Sequence, residues 1–419
     1  MKRQYNLIGG VLTEASLAVV FANPVLIQSV CGKIGQHCLT SEQVKWVGDV
    51  SVLSFAAAVV FSGNIIDKFN HKNLLTLSAF LIGVGYVLGG VFENIFVAQM
   101  IFIGILVGAG AGLGYLVPFN LIMRSYTDLK GWAVGLVAAG FGFGVVFWSL
   151  SAEYLSGYVI AGIYGTRLVY LTTGVLLFLL ILIGWILMKG DAEEDWDFRF
   201  TVETQIERFS IFNNSEIGKM FKNKQFYFIW IALLLFATAG FIISSHIQPY
   251  GIKTLQANGL ESKIAARVAA LAFLLFQVMV GVGSAIWGLY SDHIGRRRAI
   301  ALMSCIQGAA AFIICYAGFT PQALVLFSCI TGFNFGGMFV LFPIHTSECM
   351  DDQKFGTYYS WVFMAFIVAG LLGPNILQYS KIAADIDRES HSFMIRPFVL
   401  SGILCIASAL VTFKSKKSC

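Results

Sequence analysis

The sequence predicts an all-α membrane protein of twelve transmembrane helices, built as two six-helix pseudo-repeats. Three observations predict it. Hydrophobic residues make up 57% of the 419-residue chain and charged residues 12%, with a mean hydropathy of +0.77; a water-soluble interior is too small to cover that much apolar surface. Apolar runs of roughly 20 residues, each enough to cross about 30 Å of hydrocarbon, recur twelve times. Residues that shape helices return after a constant interval of 225 positions.

The runs fall near 6–30, 44–66, 74–92, 96–121, 131–151 and 168–188, then near 227–250, 266–290, 299–318, 321–345, 356–378 and 397–413. They are too long and too uniformly apolar for barrel strands, and a helix satisfies its own backbone groups in lipid. The first run begins after Met1-Lys2-Arg3 and lacks the short apolar core and small-residue cleavage site of a signal peptide. It is expected to remain as an anchor.

Charge sets the orientation. With both termini in the cytoplasm, the inner segments hold 19 of the 28 Lys and Arg residues and the outer segments 9. Positive charge inside is the expected bias, so the net charge of +5 follows topology and does not point to nucleic acid. Among the eight cysteines, Cys305, Cys315, Cys329 and Cys405 fall within apolar runs and read as small packing residues. Cys31 and Cys38 share the first outer loop, where spacing alone leaves pairing open.

The organisation follows the polar stretches. Residues 1–189 form an N-terminal six-helix bundle, 190–226 a cytoplasmic linker, and 227–419 a C-terminal six-helix bundle. The linker opens Gly190-Asp191-Ala192-Glu193-Glu194-Asp195 and is expected to hold an amphipathic surface helix around 211–224. Within the halves, Pro24, Gly63, Asp67 and Gly83 meet Pro249, Gly288, Asp292 and Gly308 at the interval of 225. Gly112, Pro118 and Gly131 meet Gly337, Pro343 and Gly356, so the repeat reads as gap-free. Two copies of one helical unit in a membrane point to a transporter whose halves rock about a shared site.

The sharpest motif runs Gly288-Leu289-Tyr290-Ser291-Asp292-His293-Ile294-Gly295-Arg296-Arg297. Its first-half counterpart, Gly63-Asn64-Ile65-Ile66-Asp67-Lys68, lacks the second glycine and carries Lys68 for arginine. Glycine allows close helix contact, and an aspartate approaches a helix N-terminus or pairs with the basic cluster. Such contacts, made in one state and broken in another, set an equilibrium between states; a plain basic anchor is the other reading. The motif resembles the signature loop of the major facilitator superfamily, Gly-x-x-x-Asp-Arg-x-Gly-Arg-Arg. That resemblance covers nearly the whole chain and implies the fold already read from the runs.

A narrower resemblance lies in Lys130-Gly131-Trp132-Ala133-Val134-Gly135, continuing to Gly140-Phe141-Gly142-Phe143-Gly144, and in Phe355-Gly356-Thr357-Tyr358-Tyr359 with Gly370 and Gly373-Pro374. These stretches are similar to spans five and eleven of the oxalate/formate antiporters and monocarboxylate transporters. Oxalate carriers of that group place an arginine in span eight and a lysine in span eleven. The matching positions here hold Ser284 and Phe366. A dianion in a low-dielectric cavity needs cations to offset lost hydration, so oxalate is not the expected solute.

Glu14 lies roughly nine residues into span one, about 14 Å deep, and its repeat partner is Ala239. A carboxyl there that titrates as access alternates is a natural proton carrier; the plain reading is a protonated side chain bonded to a neighbouring helix. Asn23-Pro24 and Gln248-Pro249 mark equivalent outer ends of spans one and seven, and His246 lies beside them. Gln277 and Asn334 are deeper polar candidates; Tyr115, Tyr358 and Phe366 complete the expected solute or proton pathway. Asn120 and His345 pair by the repeat near inner span ends, while Asp49 and Glu348 read as solvated. The gating residues are Gly63, Asp67, Lys68, Gly288, Asp292, Gly295, Arg296 and Arg297.

No HExxH, Walker loop or catalytic dyad is visible, so no enzyme, metal or cofactor is expected and a gradient must supply energy. The expected function is secondary active transport of small organic anions, monocarboxylates in particular, by proton symport or anion exchange, in a protein acting as a monomer. An amino acid or other neutral or zwitterionic solute fits the same residues. A membrane receptor that binds without carrying is the reading from a different class.

Overall fold

The computed structural model describes residues 2–31, 39–66, 71–155, 165–188, 214–315, 320–350, 354–382 and 391–415. Twelve helices are long and apolar enough to cross a membrane: Arg3–Ile27, Ser41–Ile65, His71–Val91, Phe96–Ser125, Lys130–Ala152, Arg167–Leu187, Lys224–Ala257, Ser262–Ile294, Arg296–Ile314, Pro321–Cys349, Phe355–Asn375 and Arg396–Lys414. No strand occurs among the described residues. The protein is an integral, multi-pass membrane protein. A further helix, Asn214–Lys222, lies within the stretch expected to carry one.

The ends of the spans follow local chemistry. Thr40 opens span two with a reciprocal capping box, its hydroxyl accepting from Gln43 N while the Gln43 side chain accepts from Thr40 N. Thr320 caps span ten ahead of Pro321, which has no N–H to leave unpaired. Span eight ends on Gly295, whose φ of +86° and ψ of 148° occupy a region nearly closed to other residues. Span one is interrupted at Ala18 between helices Lys2–Leu17 and Val19–Cys31.

The chain forms two compact units. The first holds 1–128, 143–220 and 353–361; the second holds 129–142, 221–352 and 362–419. The same neighbour scheme appears in each half of the sequence. Span two packs on span four as span eight packs on span ten, and span three packs on span six as span nine packs on span twelve. Span one touches spans four and six as span seven touches spans ten and twelve.

Glycines make these contacts close, and they correct the expected gap-free repeat. Gly108 and Gly112 lie against the carbonyls of Ser51 and Phe55, as Gly332 and Gly336 lie against those of Phe276 and Val280. The carbonyl partners stand 225 residues apart, but the glycines stand only 224 apart. The spans begin in step, since their caps Ile95 and Thr320 are 225 apart. The difference arises in the π-helical stretch Met100–Val107, whose wider turn absorbs one extra residue. The register recovers after Ser125 and Cys349, because Lys130 and Phe355 again open their helices 225 apart. Gly112 therefore answers to Gly336, not Gly337, and Pro118 to Phe342, not Pro343.

Candidate functional site

The motif at the end of span eight builds a buried ionic junction in the second unit. Gly288 allows span five to approach so closely that a Cβ added there would collide with the Gly131 carbonyl. That approach brings the first turn of span five onto Asp292. The carboxylate accepts from Gly131 N at 3.0 Å and Trp132 N at 2.9 Å, two N–H groups that a helix start leaves without ladder partners. Negative charge at a helix N-terminus is electrostatically favourable as well.

Arg296 completes the junction. It donates to Asp292 Oδ1 at 2.6 Å and, through Nε, to Glu348 Oε1 at 3.0 Å, while Nη1 reaches Ser291 Oγ. The Ser291 hydroxyl in turn donates to Gly288 O at 2.7 Å. Arg296 and Asp292 side chains are 8% and 9% exposed, so removing one charge would strand the other in a poorly solvating place. Glu348 is thus no solvated end residue; its charge is engaged by a helix 52 positions earlier. Arg297 turns the other way, donating to Ser415 O at 3.1 Å with its guanidinium over the Phe413 ring, and so fastens span twelve. His345 joins the same end: its Nε2 lies 3.0 Å from Ser415 Oγ, and the ring is buried.

The first unit holds the repeat-related contact. Gly63 lies against Gly356 and Ser360, and Thr357 donates to Gly63 O at 3.3 Å. Gly356 and Ser360 stand 225 residues after Gly131 and Gly135, the residues that Gly288 meets. Asp67 and Lys68 lie outside the described residues.

Glu14 is the other focus of the first unit. It is fully buried, and neither carboxyl oxygen has a hydrogen-bond partner among the described residues. The Tyr115 and Tyr359 rings, from span four and the start of span eleven, stand within electrostatic range of it. Gly144 lets span five close on Ala15 and Ala18, and Trp148 donates its indole N–H to Ala15 O at 2.8 Å. Edge contacts at 5.3 Å between Phe55 and Tyr115, and tilted contacts at 5.3 Å between Tyr115 and Phe119, hold the tyrosine in place. Tyr358 is buried nearby in sequence.

The remaining candidates separate. Asn23 donates to Ser51 Oγ at 3.0 Å and accepts from Tyr86 OH, so its amide ties spans one, two and three. Gln248, its repeat partner, is exposed. Pro24 rests on Gly48 at a cleft of about 310 Å³ that Lys45 and the half-buried Asp49 also line. Gln277 is half-buried and Asn334 fully buried. Ser284 gives its hydroxyl to Val280 O and Gly336 O, at 2.9 and 2.8 Å. Phe366 sits among Phe241, Phe339 and Phe363, with ring centroids 5.0, 5.4 and 5.0 Å away. The two positions that would carry cations in an oxalate carrier are thus a satisfied hydroxyl and an apolar cage.

A family model described as Major Facilitator Superfamily matches residues 7–374. The chain belongs to the Major Facilitator Superfamily. It is 25% identical over 354 residues to the oxalate:formate antiporter of Oxalobacter formigenes, covering 84% of this chain and 77% of that one. An uncharacterised MFS-type transporter of Escherichia coli is 22% identical over 374 residues, covering 88% and 86% of the two chains. Among solved structures, the Escherichia coli fucose:proton symporter superposes with a TM-score of 0.71 at 12% identity, covering 99% of this chain and 98% of that one. A bacterial homologue of ferroportin gives 0.66 at 13% identity, covering 99% of each chain. As a superfamily member the protein is a transporter, and the ionic junction occupies its signature loop.

Proposed function

We propose that the protein is a secondary active transporter of small organic anions, monocarboxylates in particular, working by alternating access with proton symport or anion exchange. The observation that carries this reading is Glu14, a fully buried carboxylic side chain within electrostatic range of two tyrosine rings, neither of whose oxygens has a hydrogen-bond partner among the described residues. A lone carboxyl in that setting is suited to take up and release a proton as access changes. Likeness to the oxalate:formate antiporter supports a carboxylate solute. The uncharged Ser284 and Phe366 favour a monoanion over a dianion, because nothing there offsets a second buried charge.

In this reading the halves are 1–189 and 227–419, joined by a cytoplasmic linker at 190–226; both termini are cytoplasmic, and one chain suffices. Alternating access would make and break the Asp292 junction, which biases one state over the other. The uncharged cage around Phe366 equally favours a neutral or zwitterionic solute such as an amino acid, the second reading. Purified protein in liposomes separates them. Counterflow of labelled lactate, pyruvate, formate and neutral amino acids, measured at two pH values, should saturate for a monocarboxylate and respond to pH. Saturation by amino acids alone would replace the proposal, and no counterflow across the panel would favour a sensor.

A further inference from the structure

We infer that Ser304, Gln307 and Asn334 enclose a bound-water site between spans nine and ten of the second unit. All three side chains are 0% exposed. Ser304 Oγ, both amide atoms of Gln307 and both amide atoms of Asn334 lack hydrogen-bond partners among the described residues. Five orphaned polar atoms in one bundle core would be a heavy desolvation burden if left dry.

The helix register brings them together. Ser304 and Gln307 are three residues apart and share one face of span nine. Asn334 faces them from span ten. Gly337, one turn further on, lies against Met303, so this side of span ten looks onto span nine. The first half gives independent support. Gly110, which the glycine register equates with Asn334, lies against Leu81 and Ile82, and Ile82 is the counterpart of Gln307. Span twelve closes the far side: Gly308 rests on Cys405, whose thiol stands near the Gln307 amide without meeting hydrogen-bond geometry.

The chemistry selects water. The cluster offers amide N–H donors and carbonyl acceptors together with a hydroxyl that does either. A cation would satisfy the oxygens and leave two NH2 groups stranded; an anion would do the reverse. Water matches both, and a buried molecule with about three such partners is well held. The first half has Ala79, Ile82 and Gly110 at the matching places, an apolar set with no donor or acceptor to hydrate. The three-residue polar cluster is thus a feature of the second unit, and the matching three positions of the first unit do not reproduce it.

A density map of the intact protein at about 2 Å or better is the direct test, and a water peak within hydrogen-bond reach of two or more of the three side chains is expected. Amides bonded directly to each other with no peak between them would overturn the inference. Density or thermal stability that depends on sodium or potassium against choline would overturn it too, by making the occupant a cation. Thermal unfolding gives a second readout. Gln307→Leu alone strands the partners and should lower the apparent Tm by roughly 2–8 °C. The triple change Ser304→Ala, Gln307→Ile, Asn334→Gly installs the first half's dry set and should recover most of that loss. A triple variant less stable than Gln307→Leu would count against a site whose partners act together.

Discussion

Asp292 accepts the backbone N–H of Gly131 at 3.0 Å, joining the end of span eight to the first turn of span five. The bond is possible because Gly288 and Gly131 have no side chains to hold the two backbones apart. A single aspartate thereby combines helix capping, an ion pair and close packing, and replacing it tests all three.

Asp292→Asn keeps the shape and removes the charge that Arg296 and the helix start both use. Hydrogen bonds to charged groups contribute roughly 1.5–3 kcal/mol, so the balance between states should shift about 10–100-fold. The maximal counterflow rate should change much more than the half-saturating solute concentration. A large change in the latter alone would place Asp292 in solute binding.

Gly288→Val and Gly63→Val push a branched side chain into Gly131 and into Gly356 with Ser360, respectively. Both should abolish most transport in vesicles while the protein still reaches the membrane. Gly218→Ala is the control, because nothing lies within 4 Å of a Cβ added there. Normal transport by either valine variant would show that the close approach is dispensable.

Gly295→Ala forces a side chain onto φ of +86° and ψ of 148°. Such strain costs about 1–3 kcal/mol, and the apparent Tm should fall by roughly 2–10 °C. A Tm within one degree of the parent would mean that the turn relaxes freely.

Glu14→Gln keeps the side chain nearly isosteric and cannot ionise. Uptake driven by a pH gradient should be lost, while exchange of solute for solute at equal pH should persist. Retention of full gradient-driven uptake would remove Glu14 from coupling.

Much of the fold was legible because lipid demands long apolar helices, and twelve such runs are hard to misread. Their ends were less so. Spans seven and eight run to 34 and 33 residues, since polar flanks such as Lys253 and Lys263 continue helices that hydropathy alone would stop. In the site, Gly288, Asp292, Gly295 and Arg296 were legible from spacing. Glu348 was not, because its partner lies across the fold and nothing beside it in sequence announces a cation. Asn23 read as a pathway residue at the outer end of span one; its bond with Tyr86 was not legible, because that partner is contributed by another helix.

The π turn at Met100–Val107 leaves span four with 30 residues and span ten with 29. Each span also contains one interior proline, which denies a ladder N–H to the carbonyl four residues earlier. Those carbonyls belong to Gly114 and Phe339, yet the packing equivalent of Gly114 is Met338. The two carbonyls that lose their usual ladder donor therefore point about 100° apart around their helix axes. Two helices that match in their packing thus turn these carbonyls to different compass bearings, and one inserted residue breaks the internal symmetry within this pair of spans alone, before the interval of 225 resumes.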